Sequence, residues 1–182
     1  MKKILIACVF LIAFSAQGQG GLVLDNLGMA EGGGALLRNK VLERKKEKIE
    51  GTPYLNEVFM SSSISGADNL FVTRYNAYND EVEISHDGSI FVIPKVDKHN
   101  TIVNKSFDYI LKLIRYNAGG ENYVYGYLFE LFTTENMGLY QRQQIVLQEA
   151  REAANSYSTA IPAKYIKKST EHYLMMGENK VM

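Results

Sequence analysis

From residue 51 onward, apolar residues recur at every second position over several runs, the period of a strand with one buried face. In Glu81-Val82-Glu83-Ile84 the alternation sets Val82 and Ile84 on one face and two carboxylates on the other. Asp87-Gly88 separates this run from Ile90-Phe91-Val92-Ile93. Gly88 can take the positive φ of a tight turn, so the pair predicts a hairpin that ends at Pro94. Leu70 to Ala77 is a further strand, with Phe71, Thr73, Tyr75 and Ala77 on one face. Beyond it Tyr78, Val82 and Ile84 carry the opposite parity, and this switch near Asn79 predicts a bulge or bend. Upstream, Tyr54 to Phe59 reads as a first strand and Ser61 to Asn69 as a polar loop.

The second half repeats the style. Val96 to Lys105 is a polar connection, and Ser106 to Tyr116 sets Phe107, Tyr109, Leu111 and Leu113 on one face. Asn117 to Gly120 is a turn. The answering strand, Asn122 to Phe132, lines up Tyr123, Tyr125, Tyr127, Phe129 and Leu131, with Gly126 as a point of bending. Leu139 to Leu147 reads as a strand fading into a loop or helical turn, and Ala163 to Met176 as the last strand. Arg74-Tyr75-Asn76-Ala77 recurs as Arg115-Tyr116-Asn117-Ala118, which the unmatched flanks assign to chance in a Tyr- and Asn-rich chain. The predicted fold is mainly β: an antiparallel meander forming a strongly curved sheet or partial barrel, with a short N-terminal helix.

That helix comes from Arg38 to Glu50, where Leu37, Val41, Leu42 and Ile49 fall near helical spacing amid mixed charges. Before it lies a Gly-rich stretch, and before that a different pattern: Lys2-Lys3, an apolar run from Ile4 to Phe14, then Ser15-Ala16-Gln17-Gly18. The run is too short to span a bilayer and fits a cleavable signal peptide. The expected organisation is 1–18 signal peptide, 19–50 flexible Gly-rich and charged arm, and 51–182 β-rich domain. The mature chain is expected to be secreted or periplasmic, with no transmembrane segment. Cys8 lies inside the apolar run rather than after it, which argues against a lipoprotein anchor.

Composition alters this picture in two places. Twelve Tyr and eight Phe without Trp suit a pleated, half-buried surface. Charge is balanced at 20 basic and 20 acidic residues, and loss of Lys2 and Lys3 leaves 18 against 20, so no nucleic-acid partner is expected. Cys8 is the only cysteine, so the mature chain is expected to fold without a disulfide.

Asp80, Glu81 and Glu83 form the densest acidic cluster, with Glu81 and Glu83 about 7 Å apart on one strand face. Ca²⁺ requires six or more oxygen ligands, and no loop offers them in a recognisable pattern, so no metal and no cofactor are expected. The plainer account is a strand surface with Arg74 as ion-pair partner. His86, His99 and His172 show no ligand spacing, and Ser61-Ser62-Ser63 lacks a nucleophile-elbow context. Candidate binding residues are Arg74, Tyr75, Tyr78, Asp80, Glu81, Glu83, Tyr123, Tyr125 and Tyr127. The Tyr row is either a binding surface or the core face of its sheet.

Gly51-Thr52-Pro53-Tyr54-Leu55 and Arg74-Tyr75-Asn76-Ala77-Tyr78-Asn79-Asp80-Glu81 resemble the GxPYL-like opening and RYNAY-x-DE core of a family of small secreted bacterial proteins. The resemblance implies an extracytoplasmic β-rich domain and no particular activity. The expected function is a non-enzymatic binding or interaction module whose partner is an envelope protein, a glycan or a small apolar ligand. The alternative is a carrier with a cavity in a partial barrel, and a hydrolase built on the acidic cluster comes third.

Overall fold

The computed structural model describes residues 49–153, 155, 157 and 159–177, together with the backbone of 38–39 and 180–181. The strands, in chain order, are β1 (Arg38–Asn39), β2 (Met60–Ile64), β3 (Leu70–Asn76), β4 (Glu81–His86), β5 (Ser89–Val92), β6 (Thr101–Asn104), β7 (Tyr109–Asn117), β8 (Tyr123–Thr133), β9 (Met137–Arg142), β10 (Ile145–Gln148), β11 (Lys164–Lys167), β12 (Glu171–Met176) and β13 (Lys180–Val181). One 3₁₀ turn, Asp97–His99, precedes β6. Among the described residues there is no α-helix, hence none long and apolar enough to cross a membrane. Most of the expected helix, 40–48, lies outside the described residues, whereas Arg38 and Asn39 pair with Val92 and Phe91.

Eleven strands form one antiparallel sheet in the order β1-β5-β4-β3-β2-β6-β7-β8-β9-β12-β13. It comprises two meanders, β2 to β5 and β6 to β9, joined side by side at Ser63↔Val103 and Ile64↔Ile102. The expected strongly curved sheet or partial barrel does not form. The sheet is open, because the chain extends it outward at both ends and leaves β1 and β13 unpaired with each other. β10 and β11 form a separate hairpin, tied back by the Ile145 N–H to the Ala77 carbonyl at 3.2 Å.

The core is filled from several strands of the one sheet. Phe71 and Tyr75 of β3, Val82 and Ile84 of β4, Leu111 and Leu113 of β7, and Tyr127 and Phe129 of β8 pack together. Tyr75 meets Tyr127 and Phe129 edge-to-face at centroid distances of 6.2 and 5.7 Å, a favoured aromatic geometry. A second, smaller cluster of Tyr116, Leu128 and Tyr140 lies on the opposite side of β8. The middle of β8 is therefore buried on both faces.

Asp87-Gly88 turns the β4–β5 hairpin with both residues at positive φ, 47° and 74°, as expected of a two-residue turn. The parity switch near Asn79 has another cause than a bulge. Residues 77–80 close a β3–β4 hairpin in the register Asn76↔Glu81, so the residues on either side belong to different strands. The expected strand at Tyr54 to Phe59 is replaced by one in the expected Ser loop. Ser62 is buried there because its hydroxyl meets Thr73 Oγ1 at 2.7 Å and accepts from Asn104 Nδ2 at 3.0 Å. Polar side chains that satisfy one another are as acceptable inside a sheet as apolar ones. The expected last strand is two, β11 and β12, and β6 lies within the expected polar connection. The repeated Arg-Tyr-Asn-Ala has a shared local role. Asn76 Oδ1 accepts from the Tyr78 and Asn79 N–H groups, and Asn117 Oδ1 from that of Gly119, so each Asn folds the turn after its strand.

Candidate functional site

The acidic cluster separates into three environments. Glu83 is fully buried on β4 and opposite Arg74 in register. Arg74 Nη2 and Nε donate to its Oε2 at 2.6 and 3.3 Å, and Asn76 Nδ2 donates to Oε1 at 3.2 Å. The Tyr54 hydroxyl donates to both Glu83 oxygens at 3.3 Å. Arg74 packs against the Tyr54 and Phe59 rings, 3.6 and 4.2 Å from their centroids. Burial, reinforced by Glu83, pushes the Tyr54 phenol up to about 12. The stretches Gly51 to Leu55 and Arg74 to Glu81 thus meet here, and a backbone bond from Tyr78 N–H to the Pro53 carbonyl at 3.2 Å joins them again.

Asp80 serves a different element. β9 pairs with β8 only as far as Phe129, which leaves the edge of β8 without a strand partner at Tyr127. Asp80, held at φ 55°, fills that gap. Its Oδ1 accepts from the Tyr127 N–H at 3.1 Å and the Tyr75 hydroxyl at 2.8 Å, and its Oδ2 from Lys95 Nζ at 2.5 Å. Gly126 permits this approach: a Cβ there would lie 2.6 Å from Asp80 Oδ2. The glycine makes room for a carboxylate, where sequence reasoning assigns it a bend in the sheet. Burial, aided by Asp80, holds the Tyr75 phenol well above its ordinary range. Glu81 stays at the half-buried end of β4, where Asn79 Nδ2 donates to it at 3.3 Å. Among the described residues no group of three or more His, Cys, Asp and Glu is placed to hold a metal ion.

The Tyr row divides by depth. Tyr123 and Tyr125 are 54% and 37% exposed, whereas Tyr127 is 1% exposed and belongs to the core. The Tyr125 hydroxyl donates to Asp97 Oδ1 at 2.5 Å, and Arg115 lies over the Tyr123 ring at 5.0 Å. Tyr78 is 40% exposed and packs edge-to-face on Tyr165 at 5.2 Å.

Of the nine candidate residues, only Arg74 and Tyr75 line a cleft that offers a binding volume among the described residues. Its origin is a break in the β2–β3 ladder. Continuing the Met60↔Thr73 register would set Glu57 opposite Asn76, yet Tyr54 is there instead. The surplus chain stands away from β3 and leaves a cleft of about 190 Å³ lined by Leu55, Asn56, Val58, Arg74, Tyr75, Phe107, Tyr109, Phe129 and Gln143. Tyr109 and Phe129 meet edge-to-face at 5.5 Å, and Phe107 is 39% exposed in the turn before β7. Sequence parity groups Phe107 with Tyr109, which was a usable signal. Nothing local marks Asn56 or Gln143, whose role depends on pairings far away in the chain. No protein-family model, curated protein or solved structure matches this chain.

Proposed function

We propose that this protein is a non-enzymatic extracytoplasmic binding module that receives a small, largely apolar ligand in the cleft beside β3. The observation that carries this reading is the cleft: aromatic walls from Tyr75, Phe107, Tyr109 and Phe129 with three polar side chains among them. Binding sites for small molecules have this composition, apolar walls with a few placed polar groups. The acidic residues contribute no competing reading, since Asp80 and Glu83 are engaged in hydrogen bonds that hold the fold together. The apolar run at Ile4 to Phe14 supports export, with the mature chain secreted or periplasmic. The site is a surface cleft and not a barrel interior.

A second reading, an interaction surface for an envelope protein, draws on Tyr123 and Tyr125, which expose 54% and 37% of their surface. Native mass spectrometry of the protein purified from its host distinguishes the two. A small-molecule adduct that is retained by the wild type and lost in Phe107→Trp, whose larger ring fills the mouth of the cleft, supports the cleft. A co-purifying protein lost in Tyr123→Ala, Tyr125→Ala, with no adduct, overturns the cleft reading in favour of the surface.

A further inference from the structure

We propose that the cleft selects an uncharged, single-ring ligand with one hydrogen-bond acceptor and one donor, of the aromatic-amide class, and turns away carboxylates and phosphates. This rests on the small-molecule reading above. Three observations specify the class.

The first is size and wall chemistry. A cavity of about 150 Å³ lined by apolar groups is enough to hold a benzene ring. The cleft, at about 190 Å³, has room for one ring with a small polar substituent, and its Tyr75, Tyr109 and Phe129 walls present ring edges and faces for stacking.

The second is charge. Arg74 is the only charged residue lining the cleft, and its guanidinium is already engaged. Nε and Nη2 serve Glu83, Nη2 also serves the Tyr54 hydroxyl at 2.9 Å, and Nη1 donates to the Glu57 carbonyl at 3.2 Å. The Tyr54 and Phe59 rings pack against it, with centroids at 3.6 and 4.2 Å. An anionic ligand would compete for this cation with the fully buried Glu83, and drawing Arg74 away would leave Glu83 without its counter-charge. A cationic ligand meets no uncommitted carboxylate among the lining residues and loses its hydration without return.

The third is the polar pair. Asn56 Oδ1 accepts from the Val58 N–H at 2.9 Å, which leaves the Asn56 amide NH₂ as a donor. Gln143 Nε2 donates to Gln141 Oε1 at 2.8 Å, which leaves Gln143 Oε1 as an acceptor. A primary or secondary aromatic amide complements both.

Benzamide, benzoate and benzamidine share one ring and differ in charge, so they form the test. Each is titrated into the ¹⁵N-labelled chain and followed by two-dimensional amide NMR. Benzamide is expected to shift the amides of residues 55–58, 107 and 109 saturably, with a Kd of millimolar order for so small a ligand. Benzoate and benzamidine are expected to bind at least about tenfold more weakly, and Gln143→Leu to weaken benzamide about fivefold while its spectrum confirms the fold. Benzoate binding as tightly as benzamide at the same amides overturns the charge selection and leaves the small-molecule reading intact. Silence from all three ligands overturns the assignment of ligand class, and the small-molecule reading is then decided by its own adduct measurement.

Discussion

Glu83 shows how a charge becomes part of a core. Removing a carboxylate from water costs several kcal/mol, and only close, well-directed partners offset it. Arg74, Tyr54 and Asn76 supply them, which ties the start of the domain to the β3–β4 hairpin. Glu83→Gln keeps the shape but leaves Arg74 without its counter-charge, so the urea midpoint is expected to fall by the equivalent of about 3–5 kcal/mol with an unchanged m-value. The ion pair itself was legible in the sequence, because Arg74 and Glu83 lie near each other. Its burial was not. Alternation along a strand states which residues share a face, but the cover on this face is Tyr54, 29 residues before Glu83.

At the scale of elements, what could be read was what local chemistry dictates. The Asp87-Gly88 hairpin and the Asn117–Gly120 turn follow from residues that accept the required φ or fold back on their own backbone. β2 was hidden because its one buried serine, Ser62, is matched by Thr73 and Asn104, neither of them local. The Asp80 cap on β8 was hidden for the same reason, since the carboxylate and the N–H that donates to it are 47 positions apart. Asp80→Ala removes the acceptor for the Tyr127 N–H and the Tyr75 hydroxyl. Hydrogen exchange of the Tyr127 amide should then accelerate by about tenfold or more, while amides in the β4–β5 hairpin keep their protection.

For the whole molecule, strand content and antiparallel pairing were legible, and strand order was not: periodicity shows that a face is buried and says nothing about which strands adjoin. The Tyr-rich composition does reach a global property. Burial raises the phenols of Tyr54, Tyr125 and Tyr173 to about 12, assisted by Glu83, Asp97 and Glu171 respectively, and raises Tyr75, Tyr109, Tyr116 and Tyr127 as well. An unfolded chain releases these protons near pH 10, so the folded state holds more protons above that point. Their contribution to stability is complete below pH 10 and is lost as pH rises from 10 toward 12. Thermal unfolding followed along an alkaline series should show Tm level up to about pH 10 and falling steeply beyond it, with the phenolate absorbance of the buried tyrosines appearing together with unfolding. The bond between Asp80 and the Tyr127 backbone also orders events in time. The β3–β4 turn can form as soon as its own residues are available, but its carboxylate finds its donor only when β8 has been laid down beside β7. Because that bond closes a long loop, it is expected to form late and to act as a latch: Asp80→Ala should speed unfolding far more than it slows folding, as stopped-flow rates in urea would show.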